Sequence, residues 1–111
     1  MGKGDKFLGE FEQMVLLALL QLKDNAYGAA IRQLLDEQIA RTVALGALYS
    51  TLERLEKKGL VTSKLGEATP ERGGRPKRFF HVTGQGLDAL NRAKSAMDTL
   101  WHNANLNAFS N

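Results

Sequence analysis

A leucine stripe in the middle of the chain constrains the fold more than any other feature of the sequence. Its members recur at spacings of three, four and three residues, and they are Leu45, Leu48, Leu52 and Leu55. Such spacing places all four side chains on one face of an α-helix. Thr42 is a candidate N-cap for this helix, and Gly59 is the residue that a left-handed C-terminal stop prefers. The pattern predicts an amphipathic helix over residues 42–59.

Two further helices are predicted before this one. Residues 7–22 form the first, and its second half is apolar nearly all round, which is typical of a central core helix. Asp24 and Asn25 then provide a turn, and residues 27–39 form a second helix with one apolar and one polar face. The chain therefore opens with three consecutive helices.

The sequence changes to a strand-like character after the third helix. Residues 60–65 and residues 77–83 are candidate strands, and the turn-rich stretch 66–76 between them predicts a β-hairpin with a long loop. Thr83 can cap a last helix, which we expect over residues 85–105.

This order of elements predicts a mainly α fold with a small β-hairpin. Three short helices followed by a hairpin are typical of the winged variant of the helix-turn-helix. We expect residues 1–84 to form a winged helix-turn-helix DNA-binding domain, and residues 85–111 to form a C-terminal dimerisation helix and tail. A chain of 111 residues is long enough for one domain with one hydrophobic core.

Charge is unevenly distributed along the chain. The formal net charge is +3, but residues 41–83 hold nine basic and four acidic residues, a net charge of +5. Residues 1–40 carry a net charge of −2, and residues 84–111 are neutral. The basic surface therefore belongs to the third helix and the hairpin, which favours an acidic partner such as nucleic acid.

The hairpin loop concentrates this charge. Within seven residues it holds four cations and no acid, and the cations are Arg72, Arg75, Lys77 and Arg78. Like charges at this density repel one another unless a partner neutralises them. Cations on a hairpin tip suit DNA phosphates or a narrow minor groove. The alternative is a solvated loop without a partner.

The exposed face of the third helix is small in its N-terminal half. The residues predicted there are Gly46, Ala47, Ser50 and Thr51, and Arg54 follows one turn later. Small residues suit a recognition helix, because its N-terminal end must approach base edges in the major groove. Hydroxyl and guanidinium groups can then bind bases or phosphates. The alternative is an ordinary amphipathic helix with a solvated face.

The last helix carries a broad apolar stripe. Its members are Leu87, Leu90, Ala93, Met97, Leu100, Trp101 and Ala104. A helix of about 20 residues is roughly 30 Å long, more than a winged-helix core can cover. The pattern therefore predicts a dimer interface that contains Leu90, Met97, Leu100 and Trp101. The alternative is packing onto the first helix of the same chain, which suits Leu87 and Leu90 better than Trp101.

Sequence patterns of enzymes, cofactor sites and membrane proteins are missing. The chain has no cysteine, so disulfides and thiolate metal sites are excluded. His81 and His102 lack the spacing of a zinc-binding helix, and no Walker A or nucleophile-elbow pattern occurs. Neither a signal peptide nor a membrane-spanning stretch is recognised. We expect a cytoplasmic protein that is not an enzyme and needs no cofactor or metal.

Two segments of the chain resemble the PadR family of bacterial transcriptional regulators. The first is LYSTLERLEKKGLV at residues 48–61, and the second is GGRPKRFFHVT at residues 73–83, with Gly86 following. Tyr27 and Gly28, which open the second helix, also fit the family. The resemblance spans roughly residues 10–90.

The resemblance implies a homodimeric winged-helix regulator, usually a repressor. Its third helix would enter the major groove of double-stranded DNA, and its wing would contact the neighbouring backbone. Tyr49 matches a tyrosine that the family places near the DNA backbone, and Tyr27 is a further candidate contact. Some family members bind flat aromatic ligands between tail-helix tryptophans at the dimer centre, so Trp101 suggests a small aromatic effector.

Two function classes follow from these patterns. The first is a sequence-specific DNA-binding repressor that binds a two-fold operator as a homodimer. The second is a winged-helix protein-interaction module that does not bind DNA and holds its partner through Trp101 and the tail. They differ in whether the basic loop is needed for activity.

Overall fold

The computed structural model of the chain describes residues 7–66 and 76–104. Its elements, in chain order, are α1 (Glu10–Leu22), a 3₁₀ turn (Lys23–Asn25), α2 (Gly28–Ile39), α3 (Leu45–Lys57), β1 (Val61–Leu65), β2 (Arg78–Val82) and α4 (Gly84–Ala104). The predicted mainly α fold with a small hairpin is confirmed, and so is the long last helix. Three helices followed by an antiparallel hairpin form a winged helix-turn-helix.

The first helix begins later than predicted. Phe7 lies outside α1 and is exposed, whereas Leu8 turns into the core before the helix starts. Gly9 is the N-cap, and its backbone N–H donates to Oε1 of Glu12 at 2.9 Å. This bond is the returning half of a capping box, and it fixes the start of the helix at Glu10, three residues after Phe7. Apolar character at residue 7 therefore misled the prediction.

The third helix also begins later than predicted, at Leu45 with Ala44 as its N-cap. Thr42 is not the cap, because Val43 turns into the core and pulls the chain out of helical geometry at this point. The Nε of Arg32 donates to the carbonyl of Val43 at 2.8 Å and ties this turn to α2. The turn between α2 and α3 is thus held by a side chain of α2.

The end of α3 agrees with the predicted glycine stop. Gly59 has a φ of +80°, which is the left-handed region that favours glycine. The N–H of Gly59 donates to the backbone carbonyl of Glu56, and the N–H of Leu60 donates to the backbone carbonyl of Leu55, both at 3.0 Å. These two bonds form a Schellman motif, which ends α3 and leads directly into β1.

One hydrophobic core joins all the elements. Its largest fully buried side chains are Leu16, Leu19, Ile31, Leu48, Leu52, Leu55, Val15 and Val61. The first helix is central, since it contacts α2, α3, α4 and β2. It is not buried all round, however, because Leu17 and Leu20 are exposed on one side.

The hairpin is anchored to the helices at its base. Val61 pairs with Val82, and Ser63 pairs with Phe80 in an antiparallel register. Phe80 is buried, and its N–H donates to the carbonyl of Ala26 at 2.9 Å. This bond fixes β2 against the turn before α2, so the position of the wing relative to α2 is set by the backbone.

The start of α4 is capped as predicted. Thr83 Oγ1 accepts the N–H of Gly86 at 3.0 Å and donates to the carbonyl of Gly59 at 2.8 Å. Residues of the first half of α4 are buried in the same core, and they are Ala89, Leu90 and Ala93. The second half leaves that core. The predicted division of the chain at residue 84 stays a prediction.

Candidate nucleic-acid interface

The exposed face of α3 is small near its N-terminus, and larger side chains follow. Gly46, Ala47 and Ser50 are exposed in the first half of the helix. A Cβ built on Gly46 would meet no atom within 4 Å, so this end of α3 is open to solvent. A partner surface can therefore approach the backbone of α3 closely, as base edges must approach a recognition helix.

Thr51 does not belong to this face, and the prediction that it is exposed beside Ser50 is wrong. Its side chain is only 4% exposed. Thr51 lies three residues after Leu48 and four before Leu55, so helical periodicity turns it toward the leucine stripe. No polar atom in the described core is left without a hydrogen-bond partner.

Tyr49 lies where α3 meets the start of α2. Its ring is half-buried, with its centroid 6.3 Å from that of Phe80. A Cβ built on Gly28 would overlap the Tyr49 hydroxyl and lie 3.0 Å from its Cζ atom. Gly28 thus makes the space for this ring. The hydroxyl lies beside the first residue of α2, where a helix N-terminus attracts anions.

Tyr27 and Lys77, both predicted from sequence, are brought together at the loop end of the hairpin, next to the first residue of β2. The Nζ of Lys77 lies 4.2 Å from the centroid of the Tyr27 ring, which is a cation–π contact. Tyr27 packs edge-on against Phe79 with a centroid distance of 5.7 Å. This cluster links the start of α2 to β2 and holds a positive charge at the surface.

Arg78 is the first residue of β2 and is tied to β1. Its Nη1 donates to Oγ of Ser63 at 3.1 Å, and that hydroxyl donates to Oε2 of Glu56 at 2.9 Å. These two hydrogen bonds connect β2, β1 and the last turn of α3. Arg78 is exposed, so its charge remains accessible to a partner.

These elements border an open cleft of about 810 Å³ between α3, the start of α2 and the hairpin. Among the described residues, its charged lining side chains are Arg32, Lys77, Arg78, Glu53 and Glu56. Cations are therefore in the majority along the cleft. The predicted loop cations Arg72 and Arg75 lie outside the described residues.

Glu12 does not line the cleft but pairs with the C-terminal end of α3, and the sequence patterns did not single it out. It is buried, and its Oε2 lies 3.1 Å from Nζ of Lys58 and 3.6 Å from Nε of Arg54. Burial raises the pKa of Glu12, but the Gly9 N–H, Lys58 and Arg54 together outweigh burial and lower it below its ordinary value. The pairing of Glu12 with α3 has no local signal in the sequence, because Lys58 lies 46 residues away.

The last helix separates its predicted interface residues into two groups. Leu90 is buried in the core of its own chain, which agrees with the alternative of packing within the chain and not with a place in a dimer interface. The physical reason is its position on the half of α4 that packs against α1. Met97, Leu100 and Trp101 are exposed, the last two by 63% and 61%. Leu87 is also exposed, although its position favoured packing onto α1.

In the described parts of the chain, no group of three or more histidine, cysteine, aspartate or glutamate side chains is arranged to hold a metal ion. No helix in residues 7–66 and 76–104 has an apolar stretch long enough to cross a membrane.

Comparison with known proteins places these features in a family. Residues 16–92 match the model of the transcriptional regulator PadR-like family. Among solved structures, a PadR-like transcription factor from Bacteroides fragilis is 27% identical, with a TM-score of 0.68 over 90% of this chain and 89% of that chain. No curated protein matches the sequence.

Two further solved structures show the same similarity. A PadR family transcription regulator from Clostridium difficile is 26% identical, with a TM-score of 0.67 over 89% of this chain and 97% of that chain. A PadR family transcriptional regulator from Eggerthella lenta is 26% identical, with a TM-score of 0.68 over 92% and 88%. The similarity therefore covers the winged domain and most of α4.

Proposed function

The chain belongs to the PadR-like family of transcriptional regulators, and on that premise we propose that it is a repressor that binds a two-fold DNA operator as a homodimer. The observation that carries the proposal is the small, exposed N-terminal half of α3 beside a cleft in which cations are in the majority. A regulator of this family is not an enzyme: it acts by binding and does not catalyse a reaction.

In this proposal α3 enters the major groove. Ala47 and Ser50 approach base edges, since both are exposed on the small half of the helix. Ser50 can donate to or accept from a base, whereas the methyl group of Ala47 suits a thymine methyl. The small side chains let the helix backbone come close to the DNA.

The flanking groups of the cleft bind phosphates. Lys77 and Arg78 supply positive charge from the wing, and the Tyr49 hydroxyl supplies a donor beside the start of α2. Tyr27 acts mainly by holding Lys77 through the cation–π contact. Arg72 and Arg75 of the wing loop extend the same contact to the backbone or the minor groove.

The second half of α4 forms the dimer contact in this proposal. Met97, Leu100 and Trp101 are large apolar side chains exposed in a single chain, and such a patch favours a protein partner. A two-fold dimer presents α3 twice, so the operator should contain two related half-sites. Their centres should be about 34–36 Å apart, or a multiple of that distance.

The test is a titration of the intact protein with duplexes selected from a random pool, at two salt concentrations. We expect a two-fold related site and an affinity that falls steeply with salt. Lys77→Ala should reduce the slope of log K against log salt by about one. Lys94→Ala is the matched control, because Lys94 is an exposed cation on α4 paired with Asp98 at 2.7 Å.

A second candidate function rests on the same exposed patch. A winged-helix protein-interaction module would use Leu100 and Trp101 to hold a different protein, and it would not need the basic cleft. Absence of salt-sensitive duplex binding by the intact protein would overturn the repressor proposal and favour this alternative. Retained partner binding after Arg75→Ala would point the same way.

A small aromatic effector is the further part of the proposal. Trp101 is the only tryptophan of the chain and is 61% exposed, so its fluorescence reports on its surroundings without interference. A flat aromatic compound that stacks on Trp101 should quench this emission and change operator affinity. Unchanged emission across a library of flat aromatic compounds would exclude an effector at this position.

A further inference from the structure

Glu12 links the first helix to the far end of the recognition helix. It is the acidic residue that the fold buries within the described residues, although it lies in the first turn of α1. Its two carboxylate oxygens have different partners. Oε1 accepts the N–H of Gly9, and Oε2 faces two cations of α3 and its cap, Arg54 and Lys58.

The contact with Arg54 involves a particular atom of the guanidinium group. Nε of Arg54 lies 3.6 Å from Oε2 of Glu12, which is an ion-pair distance, so this carboxylate attracts the Nε side of the guanidinium. The side chain is 53% exposed and lies one helical turn after Ser50 on the outer part of α3. Glu12 therefore restrains an arginine whose outer end remains in solvent.

Such a restraint matters for binding DNA. The guanidinium has five N–H donors in a rigid plane, and its two terminal nitrogens suffice for a bidentate contact with phosphate oxygens or with O6 and N7 of guanine. An unrestrained arginine loses rotamer freedom when it binds, whereas an arginine held in place beforehand loses less.

We propose that Glu12 is a positioning residue for DNA recognition, which holds Arg54 by Nε and directs its terminal nitrogens outward from α3. The inference rests on the proposed DNA-binding function. Lys58 supports this positioning, because its Nζ lies 3.1 Å from the same carboxylate oxygen and helps to keep the Glu12 side chain in place. The sequence separates Glu12 from Lys58 by 46 residues, so the pairing exists only in the folded chain.

The experiment is a double-mutant cycle with Glu12→Gln and Arg54→Ala in the intact protein. Operator and non-specific duplex affinities are both measured, at two salt concentrations. Glu12→Gln should weaken operator binding by about three- to thirtyfold, the range expected for lost arginine preorganisation. Non-specific affinity should stay constant or rise, because one negative charge is removed near the DNA.

The double-mutant cycle distinguishes a positioning role of Glu12 from a role in protein stability alone. In an Arg54→Ala background, Glu12→Gln should change operator affinity by less than about twofold, because the residue it positions is gone. Additive losses would overturn the proposal, and so would an Arg54→Ala variant that binds the operator like the wild type. If the wild type binds no duplex at all, the proposed function fails instead.

Two further variants keep the proposal testable if Glu12→Gln folds poorly. Lys58→Met removes the other cation of Glu12 and leaves the contact with Arg54, so discrimination between operator and non-specific duplex should fall less than it does in Arg54→Ala. Arg54→Lys keeps the charge but cannot bind Glu12 and present a bidentate edge together. It should lose discrimination as Arg54→Ala does, and wild-type discrimination by Arg54→Lys would refute the positioning role.

Discussion

Replacing Gly86 with alanine tests how α4 is attached to the winged domain. Gly86 lies in the first turn of α4, where the helix passes over the start of β1. A Cβ built there would overlap the carbonyl oxygen of Leu60 and lie 2.7 Å from Cγ1 of Val82. That carbonyl already accepts the N–H of Thr83 at 3.0 Å, so it cannot move away without loss of this bond.

The magnitude follows from two opposing effects. Overpacking in a tight site costs about 1–3 kcal/mol, and contact with backbone lies toward the upper part of that range. Replacing glycine by alanine in a helix returns up to about 1 kcal/mol. We therefore expect Gly86→Ala to lower the free energy of unfolding by about 1–2 kcal/mol. At about 4–8 °C for each kcal/mol, the Tm should fall by about 4–16 °C.

Gly84 provides a matched control two residues earlier in the same helix. A Cβ built on Gly84 would meet nothing within 4 Å, so Gly84→Ala should leave stability unchanged or raise it by up to about 1 kcal/mol. Urea unfolding followed by far-ultraviolet circular dichroism measures both variants at one fixed protein concentration, since dimerisation would shift the transition. Equal stabilities of the two variants would refute the close-approach argument.

Three more predictions concern other parts of the molecule. Gly28→Ala should displace the Tyr49 ring, lower stability by about 1–3 kcal/mol and weaken duplex binding, which parallel unfolding and binding titrations can measure. Glu12 has a lowered pKa in the fold, so its stabilising contribution is complete above the ordinary carboxyl pKa of about 4.3 and is lost as pH falls through the lower folded value. In Glu12→Gln, the free energy of unfolding should therefore decrease less steeply toward acid pH than in the wild type. The same decrease in both proteins would contradict the ion-pair account. Leu100→Ser should give a folded monomer in analytical ultracentrifugation, because this side chain is exposed in a single chain; a persistent dimer would exclude it from the interface.

Much of the fold could be predicted because its signals are local. The leucine stripe identified the buried face of α3, and Gly59 identified its end, since both depend only on neighbouring residues. The cap at Thr83 was predicted for the same reason. The starts of α1 and α3 were placed too early, because Leu8 and Val43 enter the core from outside their helices.

The candidate site was predicted less completely. Tyr27 and Lys77 were named separately, but the cation–π contact that joins them needs β2 to lie beside α2. Thr51 was placed on the exposed face, although its spacing of three residues from Leu48 and four from Leu55 turns it toward the buried stripe. The pairing of Glu12 with α3 could not be predicted from neighbouring residues, because Arg54 and Lys58 are distant in the sequence.

The sequence by itself determined the order of the elements, the basic character of residues 41–83 and the family to which the chain belongs. Tertiary structure alone decided which half of α4 is buried and which half carries Leu100 and Trp101 to the surface. It also decided that Arg54 is held by Glu12 from a different helix. Periodicity and capping act over a few residues, whereas burial and ion pairing depend on which distant segments the core brings together.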